Sequence, residues 1–258
     1  MRTAIRSFML AAALGVATAP AMAIQPASDH AAAGGPVVVI VKVAKPWYAP
    51  DFLVVRKMRA ALPQYQRIPG LSYKIFSIAR PGGEFGGIYL WHDRASAEAW
   101  FNPAWYRRVK TERGVDADVR MFEAPRMFDT LSSAASADLI TSTRDDAIAT
   151  VVTLPTPAGA SREQTLRGFE AEMAHERRAP GLLRRYAIVT GDGRFGGVYL
   201  WRDEDAAKRW FDAAWQRKVR ELYGSEPQVE WFDAPILMPS ALPANRDAGR
   251  ALSSTAQQ

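Results

Sequence analysis

The sequence predicts an α+β protein built from two tandem copies of one unit, each with four antiparallel strands and two helices, packed sheet to sheet within a single chain. Three observations carry this. FGGIYLWHDRASAEAWF at 85–101 returns as FGGVYLWRDEDAAKRWF at 195–211, with ten of 17 positions identical at an offset of 110. The same order of strand-like and helix-like stretches surrounds both segments. In the third strand of each copy, alternation puts Phe85, Gly87, Tyr89 and Trp91, or Phe195, Gly197, Tyr199 and Trp201, on one face.

The chain opens with Met1, Arg2 and Arg6, an apolar run from Phe8 to Val16, and Ala21-Met22-Ala23. A charged start, a short apolar middle and small residues at a cleavage point make a secretory signal peptide, so 1–23 is expected to be removed and the protein to be periplasmic or secreted. Residues 24–35 read as a disordered lead. The first repeat spans 36–130. Val37 to Val43 is a β-branched strand. Pro46 and Pro50 break it, and 51–66 has helical apolar spacing, with Pro63 expected to end or kink its last turn. Leu71 to Ala79 is the second strand, the Pro81-Gly82-Gly83 turn leads to the third at Phe85–Trp91, and Asp93 is placed to cap one helix over 95–110. Residues 117–123 complete the set as the fourth strand. The linker at 131–146 is rich in Ser, Ala and Asp; the second repeat covers 147–240, with Ser161, Glu163 and Gln164 placed to start its first helix; a flexible tail fills 241–258. The order β-α-β-β-α-β is the ferredoxin-like unit. Its aliphatic pair Ile88 and Leu90 is expected under the helices, and the aromatic set on the open face, where the second copy covers it and closes a barrel-like core around a possible pocket.

Composition narrows the function classes. There is no cysteine, so neither a disulfide nor a thiol for lipid attachment is available. Net charge is +6, but basic residues are interleaved with acids, which fits a solvated surface better than a nucleic-acid footprint. No stretch beyond the leader is long and apolar enough to span a bilayer, so no membrane partner is expected. No HExxH, paired His/carboxylate cluster, Ser-His-Asp set or dinucleotide fingerprint occurs, and no metal is expected. Gly86-Gly87 reads as a close backbone approach in a strand, not a phosphate loop.

With Pro69-Gly70-Leu71-Ser72-Tyr73-Lys74-Ile75-Phe76, Gly86-Gly87-Ile88-Tyr89-Leu90-Trp91 and Trp105-Tyr106-Arg107-Arg108-Val109, each copy resembles the dimeric α/β-barrel superfamily, and within it the YdhR-like monooxygenases related to those of antibiotic biosynthesis. The resemblance implies an intramolecular pseudo-dimer and a cofactor-independent monooxygenase-like activity on a small aromatic or polyketide-type substrate. The strand-two lysine of the family matches Lys74, which copy two replaces by Arg185; the place of a helix histidine is taken by Trp105 and Trp215. Some relatives degrade haem, which would involve His92 or His175, but no cofactor is expected.

On this reading Lys74 and Arg185 hold the substrate anion, Tyr89 and Tyr199 relay protons, and Trp91, Trp105, Trp201, Trp215 and Phe76 line the ligand. The plainer alternative pairs the two cations with Glu123 or Asp233 and makes the aromatics simple core. In that case the protein is a non-enzymatic binder of a small hydrophobic ligand, or a scaffold. Whether the space between the sheets is open, or filled by Trp91, Trp201 and Trp231, separates the two.

Overall fold

A computed structural model describes residues 34–129, 146–157 and 159–239. The signal peptide, nearly all of the lead and linker, and the tail lie outside the described residues. In the first repeat the elements are β1 (Val37–Ala44), α1 (Asp51–Tyr65), β2 (Leu71–Arg80), β3 (Glu84–Trp91), α2 (Arg94–Trp100), α3 (Pro103–Arg113) and β4 (Asp118–Asp129). The second repeat follows with β5 (Ile148–Pro155), α4 (Arg162–Glu176), β6 (Leu182–Val189), β7 (Arg194–Trp201), α5 (Glu204–Trp210), α6 (Ala213–Tyr223) and β8 (Gln228–Pro239).

One expectation about the helices is corrected. The stretch 95–110 is two helices, because the Asn102 side chain accepts from Trp105 N and Pro103 sits in the first turn of a new helix. Pro in that first turn loses no intrahelical bond, and Asn before it is a preferred cap. Pro63 lies in the last turn of α1, which ends two residues later at Tyr65. Asp93 caps α2 through Ser96 N, and Ser161 with Gln164 forms a full capping box on α4.

The eight strands form one closed antiparallel barrel in the order β1-β3-β2-β8-β5-β7-β6-β4. Each repeat supplies four consecutive strands, and β2–β8 and β4–β6 pairing joins them. Closure leaves no free sheet edge. Ion pairs straddle both joins: Arg80 with Glu204 and Asp233, Arg126 with Glu170, and Arg162 with Glu123.

The faces of the strands are the reverse of the sequence expectation. Ile88 and Leu90 point into the barrel with Val38, Ile40, Tyr73 and Ile75, where they meet Ala149, Val151, Ile188, Val198 and Leu200 of the other repeat. Tyr89 and Trp91 lie outside the barrel, under the helices with Val54, Met58, Phe101 and Trp105. Tyr199 and Trp201 do the same in the second repeat. The physical reason is room. Two four-stranded sheets closed into eight strands leave an interior already filled by Tyr73, Phe122, Tyr186 and Phe232 with the aliphatic side chains, and the gap between sheet and helices takes the Tyr89, Trp91, Tyr199 and Trp201 rings. The inter-sheet space is thus filled, but by neither Trp91, Trp201 nor Trp231; Trp231 also packs on the helix side.

Candidate functional site

Because the aromatic face points outward, the clefts lie between each sheet and its helices. The first, about 840 Å³, runs between α1 and α3 over β1–β3 and is lined by Lys74, Phe76, Tyr89, Trp105, Tyr65 and Trp100 among others. The second, about 500 Å³, is its counterpart, lined by Arg185, Tyr199, Trp215, Glu176, Trp210 and Tyr223 among others. Trp91 and Trp201 line neither. Each is fully buried and nearly parallel to Tyr89 or Tyr199, supporting the cleft from beneath.

Strand register builds the first site. A bulge between Leu71 and Tyr73 turns Tyr73 into the barrel and Lys74 out of it, directly across from Tyr89. The next pair on that face is Phe76 with Gly87. A Cβ on Gly87 would sit 2.8 Å from Lys74 Cε, and one on Gly86 only 2.0 Å from the Val41 carbonyl oxygen. The close approach expected of the double glycine is therefore present, and its second member clears the path of the lysine.

Lys74 is 2% exposed. Its Nζ lies 3.2 Å from the centre of the Tyr65 ring, 3.8 Å from that of Phe76 and 4.3 Å from that of Tyr89. Among the described residues no carboxylate forms an ion pair with it; Glu123 and Asp233, the partners the sequence offered, pair with Arg162 and Arg80. Burial without a counter-charge pushes the amine well below the ordinary lysine range. The Tyr65 and Tyr89 rings lie 6.1 Å apart, and burial raises both phenols.

The second site has the same frame and a different charge. Arg185 stands across from Tyr199, as Lys74 does from Tyr89. Its Nε lies 2.7 Å from a Glu176 carboxylate oxygen, and the Tyr199 hydroxyl donates to the other oxygen at 3.0 Å. Burial raises Glu176 although Arg185 opposes it. Glu176 occupies the place on α4 that Tyr65 occupies on α1, both closing the last turn of a 15-residue helix. The cation that stands alone in the first cleft is neutralised in the second. Glu176 and Tyr65 escaped the sequence reading: Tyr65 sits at a core-like helical spacing, and Glu176 lies in the charged run EAEMAHERR, which reads as solvated. The signal lay in the alignment of the repeats, where Lys74→Arg and Tyr65→Glu change together.

Neither described histidine takes a comparable position. His92 is exposed at the end of β3; His175 lies on the outer rim of the second cleft, 5.6 Å from the Trp210 ring. Among the described residues no group of three His, Cys, Asp or Glu side chains is arranged to hold a metal.

Residues 48–135 match the family model described as "Putative mono-oxygenase ydhR". The first repeat matches the YdhR monooxygenase family. The resemblance read from the residues therefore holds for the first repeat, whose pattern the second repeat shares. No curated protein matches the chain in sequence. Among solved structures, the chain is similar to one from Fusobacterium nucleatum described as a monooxygenase of the same provisional kind, at 8% identity and TM-score 0.56, covering 80% of this chain and 94% of that one. An anthrone oxidase-like protein aligns at 10% identity and TM-score 0.52, over 82% and 95% of the two chains. A Lactobacillus acidophilus protein described like the first gives 11% and 0.52, over 82% and 100%. These likenesses are of fold. The monooxygenase-like dimeric α/β barrel is thus the architecture, here with both halves in one chain.

Proposed function

We propose that the protein is an exported, cofactor-independent monooxygenase that oxidises a small, electron-rich aromatic or polyketide-type substrate in the first cleft. One observation supports this above others: Lys74 is a buried amine ringed by Tyr65, Phe76 and Tyr89, with no carboxylate paired to it among the described residues, at the wall of a cleft of about 840 Å³. Export rests on the leader at 1–23.

An amine that burial keeps neutral can take a proton from an acidic phenol or enol, and the ammonium so formed then stands beside the anion it created. Three ring faces around Nζ favour that ammonium once it exists. The substrate anion passes one electron to O2, giving a substrate radical and superoxide, which combine at carbon. Lys74 returns its proton to the peroxide, and loss of water leaves a carbonyl. The Tyr65–Tyr89 pair carries protons between Nζ and the cleft, while Trp100 and Trp105 hold the ring of the substrate. The second cleft, with Arg185 tied to Glu176, has no free base at this position and is read as non-catalytic.

The test is oxygen uptake by the purified protein with phenols, quinols, anthrone-type compounds and flavonoids that quench its tryptophan fluorescence. Lys74→Met should lower turnover by about 10²-fold or more, the usual size of a general-base effect, while Arg185→Met with Glu176→Met leaves it near wild type. Binding without oxygen uptake for every compound would favour the second reading, a carrier of small hydrophobic ligands. That reading draws on Trp105, which fills the place of the helix histidine.

A further inference from the structure

The loop before α1 and the first turn of that helix present the largest exposed apolar side chains among the described residues. Trp47 is 93% exposed, Tyr48 71% and Phe52 70%, with Leu53 at 39% beside them. They are held out by construction. Lys45 N donates to the Gly83 carbonyl, Ala49 N donates to the Pro46 carbonyl at 2.9 Å, and the Lys45 ammonium pairs with Asp51 across the loop. Pro46 and Pro50 stiffen what lies between. Trp47 and Tyr48 pack edge to face, 5.8 Å apart, which fixes their common direction.

Two further observations say what this surface meets. Tyr48 and Leu53 line the mouth of the first cleft, whose wall also carries Arg56, Lys57, Arg108 and Arg113 against one carboxylate, Glu112. Aromatic side chains fringed by cations match the interfacial zone of an anionic bilayer, where rings sit among headgroups and Lys and Arg meet phosphates. The second repeat is an internal control: its matching stretch, Pro157 to Gln164, carries no aromatic residue.

We propose that Trp47, Tyr48, Phe52 and Leu53 with the neighbouring cations form a docking surface for an anionic lipid membrane, placing the mouth of the first cleft against the bilayer. Surface docking needs no spanning helix, and among the described residues no helix is long and apolar enough to cross a membrane. The expectation of no membrane partner rested on that lack alone. The docking is independent of turnover, so it stands or falls without any substrate.

The experiment is co-sedimentation of the wild-type protein and of the Trp47→Ala/Phe52→Ala variant with vesicles of phosphatidylglycerol and phosphatidylcholine, or of phosphatidylcholine alone. Both changed side chains are exposed, so the variant should fold as the wild type does, checked by circular dichroism. Wild type should sediment with the anionic vesicles and be released by added salt, and the variant should bind about ten-fold or more weakly. Three outcomes would overturn the proposal. Wild type could stay in solution with both vesicles, or the variant could bind equally well. Alternatively, sedimentation velocity without lipid could reveal a dimer that the variant dissolves, which would make the patch a contact between copies of this chain.

Discussion

Lys74 and Arg185 occupy equivalent strand positions and burial works to lower both, yet their net shifts are opposite because only the arginine has acidic neighbours. The lysine, without a counter-charge, is pushed down; the arginine, paired with Glu176, is raised. A buried lysine with a lowered value binds its proton less well folded than unfolded. Stability should therefore rise with pH from the folded value up to 10.5, by about 1.4 kcal/mol per pH unit for the single proton involved. Lys74→Met removes that slope, so chemical denaturation of both proteins across this range should show the variant the more stable at neutral pH and the difference closing toward pH 10.5. The arginine pair predicts another pattern. Glu176→Met or Arg185→Met alone should cost about 3–5 kcal/mol by stranding a buried charge, whereas the double variant should return close to wild type; additive losses in the double-mutant cycle would contradict the pairing. Neither partner residue was legible one position at a time. Periodicity marks Tyr65 as core and composition marks Glu176 as solvent-facing, and only their shared place at the end of equivalent helices exposes the exchange.

At the scale of the element, local chemistry could be read and direction could not. The Pro-Gly turn, the Asp93 cap and the Ser161–Gln164 box are contained in a few adjacent residues, and the sequence states them outright. The break between α2 and α3 was equally written, as Asn102-Pro103, but a continuous helical spacing across it outweighed the signal. Strand alternation gives a period without a sign. Both faces of β3 are buried, so the sequence says that Tyr89 opposes Leu90, not which one meets the helices. The cost of a side chain follows from the element around it. Gly86→Ala pushes a methyl against the Val41 carbonyl oxygen, forcing β1 and β3 apart, and should destabilise by about 1–3 kcal/mol or more. Gly168→Ala, on exposed α4 with nothing within 4 Å, should instead stabilise by roughly 0.5–1 kcal/mol. Urea denaturation of the two variants side by side gives both signs in one measurement.

For the whole molecule, the repeat announced two sheets in one chain, while the joins between them carry no local signal. Pairing of β2 with β8 and β4 with β6 is a matter of long-range register. Each half alone would bare Ile40, Ile75, Ile88 and Leu90 to water along with two sheet edges. Residues 34–129 produced alone should therefore self-associate, and light scattering should find a dimer or larger species; a folded monomer would show that the halves do not need each other. The single chain has one more consequence, and it concerns inheritance. In a homodimer every substitution is made twice, so a carboxylate that silences one pocket silences both. Joining the halves in one reading frame unlinks them. Copy two can take up Glu176 beside Arg185 and lose its unpaired cation while copy one keeps Tyr65 beside Lys74. The second half still supplies four strands of the barrel, so the architecture is retained while one pocket is free to change.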